Sequence, residues 1–345
     1  MTENIMLLNE ICVPKTSSFT LSKLDLNNGE YPLFGASGFL GSINSFQTTI
    51  ESVAIVKDGS IGKVFKLPIN SSVLGTLLIL EPNDNVTRNY LYYYLKYLDL
   101  GRNSTGATIP HIYFKDFGKT KMIIPKIMIQ NKITKFFDEI ENKLSSLLKK
   151  IDFLDELIKS QFNEMFPDTF SHKMYKSNKL GDFISDRTIK VSKLKDVEYI
   201  NYIDISSIDN KTHKIIETTQ YQIDQRPLRA QQVIGKNDIL ISTVRPNLNN
   251  ISKLDVEDKL YVASTGFCVL KQGDWIDNTY LLHLVTNQKY TNYLMGLISG
   301  ASYPAITNKD ILSFPYENPD FDKQLMFSSF VKQVDKLKYN RDFIC

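Results

Sequence analysis

The 345-residue sequence has only three cysteines, Cys12, Cys268 and Cys345, far apart and with no Cys-x-x-Cys pair. Neither a disulfide framework nor a zinc ribbon is expected, and a reducing cytoplasm is the natural setting. The four histidines, His111, His172, His213 and His283, stand alone, so no metal or acid–base cluster is expected. No run approaches the ~18 apolar residues of a spanning helix, and Met1-Thr-Glu-Asn lacks the basic start of a secretion signal. Charge of one sign is scarce too: 41 Lys+Arg against 38 Asp+Glu leave +3. A polycationic binder is excluded, so any nucleic-acid surface must come from local clustering of charge.

Catalytic signatures are also missing. Gly59-Ser-Ile-Gly-Lys63 has the wrong spacing for a phosphate-binding loop and no hydroxyl residue after the lysine. Gly35-Ala-Ser-Gly-Phe-Leu-Gly41 departs from Gly-x-Gly-x-x-Gly and no long helix pattern follows it, so it reads as a tight turn. There is no His-Glu-x-x-His, no Asn/Asp-Pro-Pro-Tyr/Phe of an amino-methyltransferase, and no spaced acidic-x-Lys after Pro167-Asp168 or Pro319-Asp320. A noncatalytic protein is expected.

The sequence is 42% hydrophobic and 23% charged, enough apolar content for packed cores, and its length suits two domains. It also repeats itself. Gly106-Ala-Thr-Ile-Pro-His-Ile-Tyr-Phe-Lys-Asp116 reads against Gly300-Ala-Ser-Tyr-Pro-Ala-Ile-Thr-Asn-Lys-Asp310, an offset of 194. The same offset carries Pro125 onto Pro319, Gln130 onto Gln324 and Phe136 onto Phe330. Upstream, Ala54 to Val64 faces Leu240 to Asn250 and Val73 to Leu80 faces Ala263 to Leu270, with offsets of 186 and 190, as loops of unequal length require. Short β-branched runs such as Val53–Val56, Leu74–Leu80, Asp238–Ser242 and Gly266–Leu270 predict strands, and Asn89–Leu100 and Asn278–Leu297 predict helices. The fold class is α+β, a module followed by a helix, used twice.

From Gln130 to Met165 apolar residues recur at Ile133, Phe137, Ile140, Leu144, Leu147, Ile151, Leu154 and Ile158, in alternating steps of four and three. That is a heptad seam, and it needs a partner helix. Gln324 to Lys338 repeats its opening, with Phe327, Val331 and Val334 on the seam. Antiparallel pairing of the central and C-terminal helices is expected, leaving part of the longer seam for another protein. The boundaries read 1–126 for a first module, 127–166 for the central helix, 167–319 for a second module and 320–345 for a short C-terminal helix.

The loops of each module carry Arg, Lys, Asn and Gln, the side chains that pair with base edges, and Ser and Thr suited to phosphates. Candidate DNA contacts in the first module are Lys57, Ser60, Lys63, Arg102, Thr105, Thr108 and His111. In the second they are Arg226, Arg229, Thr243, Arg245, Asn247, Asn249, Ser302 and Tyr303.

Two modules, each ending in Gly-Ala-x-x-Pro-x-Ile-x-x-x-Asp followed by Pro, Gln and a heptad helix, resemble the specificity subunit of bacterial type I restriction–modification systems. Lys236-Asn-Asp-Ile-Leu-Ile-Ser-Thr-Val-Arg-Pro246 and Leu157-Ile-Lys-Ser-Gln-Phe-Asn-Glu-Met-Phe166 also look typical of that family, with Asn237 where Gly is commoner. The resemblance implies two target-recognition domains separated by long coiled-coil helices in a pseudo-two-fold repeat, reading a bipartite, asymmetric double-stranded DNA site. It implies docking of two methyltransferase subunits on the helices, with S-adenosylmethionine on those partners and no cofactor on this chain. It also implies motor–endonuclease subunits as further partners, and a cytoplasmic, membrane-free location. The short C-terminal helix departs from the family's pattern of paired helices of similar length. The alternative is a coiled-coil scaffold whose modules bind proteins.

Overall fold

The computed structural model describes residues 4–26, 28–101, 110–170, 178–185, 189–298 and 304–339. Within it the contacts divide the chain into two units, Met1–Ser146 and Leu147–Cys345. The division falls inside the longest helix, so half of that helix packs with each unit.

In the first unit the strands are β1 (Asn4–Leu7), β2 (Cys12–Thr16), β3 (Tyr31–Gly35), β4 (Gly38–Ile43), β5 (Ser52–Val56), β6 (Val64–Leu67), β7 (Ser72–Val73), β8 (Leu77–Pro82) and β9 (Lys121–Ile124). The helices are α1 (Leu8–Ile11), α2 (Arg88–Leu98), α3 (Phe114–Phe117) and α4 (Ile127–Met165), which continues into the second unit. Its four-stranded sheet has the order β2-β8-β5-β6, and a three-stranded sheet the order β4-β3-β7. All five residues of β5 are buried, as expected of a β-branched run with a packed layer on each face. Val53, Ile55 and Leu80 face a core with Leu91 and Leu95 of α2, while Ala54, Val56 and Ile79 face a second cluster.

In the second unit the strands are β10 (Asn178–Lys179), β11 (Ile184–Ser185), β12 (Ile189–Lys190), β13 (Tyr199–Ile203), β14 (Ile208–Asp209), β15 (Lys214–Ile215), β16 (Thr219–Gln222), β17 (Ala230–Ile234), β18 (Ile239–Ser242), β19 (Ile251–Lys253), β20 (Tyr261–Ser264), β21 (Phe267–Gln272) and β22 (Pro315–Tyr316). The helices are α5 (Asn278–Val285), α6 (Gln288–Gly296), α7 (Asn308–Leu312) and α8 (Phe321–Tyr339). The helix expected over 278–297 is two helices, because Asn287 caps a new one through Lys289 N.

The second unit reproduces the first, register for register. Val53, Ala54, Ile55 and Val56 pair with Leu80, Ile79, Leu78 and Leu77; Ile239, Leu240, Ile241 and Ser242 pair with Leu270, Val269, Cys268 and Phe267. The offsets are 186 on one strand and 190 on the other, those of the sequence alignment. Leu7 pairs with Lys121, and Lys179 with Pro315. A parallel pair also recurs, Leu33 with Ser72 and Tyr202 with Val262. The units differ in what is built around the parallel pair: three strands in the first, and five in the order β12-β17-β20-β13-β16 in the second.

Each helix is fastened by the same buried glutamine. Gln130 Nε2 donates to Pro125 O and Asn85 O, both at 2.8 Å, and its Oε1 accepts from Thr87 N, the N-cap residue of α2. Gln324 Nε2 donates to Pro319 O at 2.9 Å and its Oε1 accepts from Asp277 N, the N-cap residue of α5. Each glutamine thus bonds its own helix start to the N-cap of an earlier helix, which explains why a polar side chain is fully buried there.

Within the second unit, α8 runs antiparallel to the later half of α4. Lys338 Nζ lies 2.6 Å from Asp155, and Phe327 packs on Phe162 and Phe166. His283 is half-buried against Phe162 and Phe327. Burial pushes its imidazole down to about 4, against a smaller opposing pull from Asp335; Lys338, His213 and Lys253 add to the depression. The unfolded imidazole binds a proton near pH 6.5 and the folded one only near 4. Stability of this unit should therefore fall as pH drops through that window, by up to about 3 kcal/mol, with no contribution above it. Urea midpoints at pH 7 and pH 4.5 check this. His283→Gln should flatten the slope, and an unchanged slope would remove His283 as its source.

Candidate nucleic-acid interface and helix seam

In each unit the central strand runs out of the core into a loop that meets a second segment of chain. In the first unit β5 leads into Lys57–Lys63. Lys57 N donates to Thr76 O, Gly62 N returns to Val56 O, and Gly59 N donates to Pro110 O, all at 2.9–3.2 Å. Gly59 and Gly62 hold φ of +78° and +82°, the region that favours glycine. A Cβ on Gly62 would come within 2.6 Å of Gly101 N. Asp58 and His111 form an isolated β-bridge across this junction, and the Asp58 carboxylate accepts from His111 Nδ1. Ser60 and Lys63 are exposed, Lys57 is half-buried, and Lys57 Nζ lies 3.7 Å from Asp58 Oδ2.

In the second unit β18 leads into Thr243–Asn250 at the same offset. Arg245 N donates to Pro304 O at 2.8 Å and Ile306 N to Thr243 O at 2.9 Å. Val244 and Ala305 form the β-bridge here, at the positions that match Asp58 and His111. A short turn at Pro246–Leu248 is bracketed by Arg245 and Asn249, both with positive φ, 48° and 55°. Arg245 and Asn247 are exposed.

The loop residues singled out from sequence therefore separate. Lys57, Ser60, Lys63 and His111 gather at the first junction, and Arg245 and Asn247 at the second. Arg229 is exposed at the turn between β16 and β17, with its carbonyl accepting from Thr265 N. Three others face inward. Thr243 Oγ1 donates to Gly266 O at 2.9 Å. Asn249 Nδ2 donates to Thr286 O at 3.3 Å, and its Oδ1 is buried without a partner among the described residues. Arg226 Nη1 donates to Ile223 O of its own turn, with Nε likewise buried. The polarity that suggested base readers goes to backbone carbonyls of the chain in these three, within the same turn for Arg226 and across to other segments for Thr243 and Asn249. Arg102, Thr105, Thr108, Ser302 and Tyr303 lie outside the described residues. Sequence reasoning passed over Asp58 and Tyr113. Tyr113 is 54% exposed, its ring is 4.0 Å from that of His111, and Lys115 Nζ sits 5.1 Å from its centroid.

The seam of α4 changes character along its length. Ile133, Phe137, Ile140 and Leu144 are between 36% and 55% exposed, and Ile151 is 38% exposed. Leu147 is half-buried. Leu154 packs against the second unit's core and Ile158 belongs to it, so Ile158 is corrected from a docking position to a core residue: Phe327 and Val331 of α8 share its cluster. The positions on α8 that match Ile133, Phe137 and Ile140 are Phe327, Val331 and Val334, each at most 5% exposed. The seam that α4 covers in the second unit thus has an open counterpart in the first.

Polar contacts hold the flank of α4 beside this seam in the first unit, where the ring of Phe137 also lies 5.1 Å from that of Tyr93. Tyr93 OH donates to Asp138 at 2.7 Å and Glu141 at 3.0 Å; Lys66 and Lys96 pair with the same two carboxylates at 2.6 Å. Burial would push both carboxylates up, but the hydrogen bonds outweigh it and hold Asp138 and Glu141 below their ordinary values. Burial and the same bonds push the Tyr93 phenol upward, so the phenol stays a donor. Among the described residues no cluster of three or more His, Cys, Asp or Glu is arranged to hold a metal, and no helix is long and apolar enough to cross a membrane.

A family model described as Type I restriction modification DNA specificity domain matches residues 4–153. The Type I restriction enzyme MjaVIII specificity subunit of Methanocaldococcus jannaschii is 24% identical over 309 residues, which cover 83% of this chain and 72% of that protein. The Type I restriction enzyme HindI specificity subunit of Haemophilus influenzae is 25% identical over 146 residues, 41% of this chain and 32% of that one. The crystal structure of the type-I restriction-modification system S subunit from M. genitalium superposes with a TM-score of 0.57 at 17% identity, over 99% of this chain and 92% of that one. At that identity the likeness is one of fold.

Proposed function

We propose that this chain, whose residues 4–153 belong to the type I restriction modification DNA specificity domain family, is the noncatalytic specificity subunit of a type I restriction–modification system. The observation that carries this reading is the duplicated ladder with unlike loops at its exit. One scaffold is used twice, and the side chains at matching positions differ: Lys57 against Thr243, Gly59 against Arg245, His111 against Ala305. A repeated frame bearing different loops suits an asymmetric, two-part DNA site, each unit reading one half. The exposed seam at Ile133–Leu144 suits helices of methyltransferase subunits, two per complex, with motor–endonuclease subunits joining them. S-adenosylmethionine belongs on the methyltransferases, and this chain works in the cytoplasm without a cofactor of its own.

Co-expression with its methyltransferase followed by mapping of methylated adenines across the host genome tests this. The expected result is a single split motif with a fixed gap. Methylation without sequence preference would overturn it. The exposed seam also favours a second reading, a coiled-coil scaffold whose modules bind proteins. DNA affinity of the complex separates the two, because a phosphate-contacting reader loses affinity steeply as salt rises and a scaffold has none to lose.

A further inference from the structure

We infer that Asp58 and His111 form a base-reading pair of the first unit, taking an exocyclic amino group of cytosine or adenine on the base edge; this rests on the DNA-reading function proposed above. The fold does not need the pair. The second unit makes the same β-bridge at the same place with Val244 and Ala305, so backbone pairing closes the junction without a side-chain hydrogen bond across it. A carboxylate and an imidazole at this position are therefore an addition to the scaffold.

The pair remains open to solvent, with 33% of the Asp58 side chain and 27% of the His111 side chain exposed. It is also held in place. The His111 ring lies against Tyr113, 4.0 Å between centroids, and its Nδ1 is fixed on Asp58. A carboxylate accepts hydrogen bonds at several lone-pair sites, so Asp58 keeps capacity beyond the one His111 uses. Acidic side chains at base edges accept from the amino group of cytosine, and a bound imidazole N–H adds a donor beside that acceptor. Space allows the approach: a Cβ built on the neighbouring Gly59 would meet nothing within 4 Å. Cations flank the pair, with Lys57 3.7 Å from Asp58 and Lys115 over the Tyr113 ring, so an acidic reader does not stand alone against a phosphate backbone.

The test uses the complex of full chain and methyltransferase, and reads the methylated motif from host DNA. Two variants are compared with wild type. Asp58→Asn changes the acceptor and keeps the shape. The double substitution Asp58→Val with His111→Ala installs the side chains the second unit carries at the same bridge, which that frame accommodates. Both are expected to lower methylation of the original half-site by roughly ten- to hundredfold relative to a site with another base there, leaving the other half of the motif unchanged. An unchanged motif in both variants overturns the pair. So does an equal fall in methylation at every site with the complex intact, since that reports general affinity. Absence of any motif for the wild-type complex would count against the DNA-reading function itself, and is told apart by that control.

Discussion

Replacing Ile140 and Leu144 together by glutamate is expected to strip the methyltransferase from the purified chain while barely moving its thermal unfolding. Both side chains are about half exposed, so in the free chain the substitution exchanges solvent-facing residues on a helix, a change usually within about 0.5 kcal/mol. In a helix–helix interface the same positions are knobs. The α8 counterpart of Ile140, Val334, is sealed among the apolar residues of the second unit's core. Two carboxylates there would be desolvated without a partner, at a cost of several kcal/mol each. The neighbouring Asp138 and Glu141 lie on the adjoining flank and are carboxylates already engaged by Lys66, Tyr93 and Lys96, so they offer no compensation. Affinity should fall at least a hundredfold, read as loss of co-purification and a shift to the free chain in light scattering. Retention of the partner at wild-type stoichiometry would show that docking occurs elsewhere.

Periodicity located α4 well, because a step pattern of four and three is set by helix geometry alone. The helix begins at Ile127, three residues before the periodic stretch, where Lys126 O accepts from the first turn. What periodicity does not encode is which part of a seam is already covered. Ile158 and Ile133 look alike in sequence, yet one is core and the other is open, because α8 reaches only one of them. The repeat was legible for a similar reason: β5 and β18 are continuous apolar runs buried on both sides, so their offset is pinned, while the drift from 186 to 190 accumulates in the segment between the paired strands, which carries β6 and β7 in one unit and β19 and β20 in the other. The five-stranded sheet of the second unit was not legible. Its edge strand β12 is two residues long, and its centre joins β13 to β20 in parallel across about 60 residues. The loop side chains were the hardest. Arg226 and Asn249 have the composition of readers, but their hydrogen bonds go to carbonyls of the same chain. Asp58 stands before Gly59 as in an ordinary Asp-Gly turn, and its partner lies 53 residues away.

Phe162→Ala should strongly destabilise the second unit. Phe162 sits one turn beyond Ile158 on α4, was absent from the heptad reading, and is 1% exposed. Its ring stacks on Tyr280 at 5.5 Å and meets Phe166 at 5.2 Å and Phe327 at 5.4 Å, so one side chain ties α4 to both α5 and α8. Truncation removes the aromatic contacts and leaves a cavity that three surrounding rings, each fixed by further neighbours, cannot collapse to fill. The expected loss is about 3–5 kcal/mol. It should appear as a lower urea midpoint for the second unit and as lost amide-exchange protection in α8, β18 and β21, whose buried residues share that core. Phe162→Leu, which keeps most of the volume, should recover at least half of the loss. A truncation costing under about 1 kcal/mol would mean that the later half of α4 is not an integral part of this core, and the antiparallel pairing with α8 would lose its anchor.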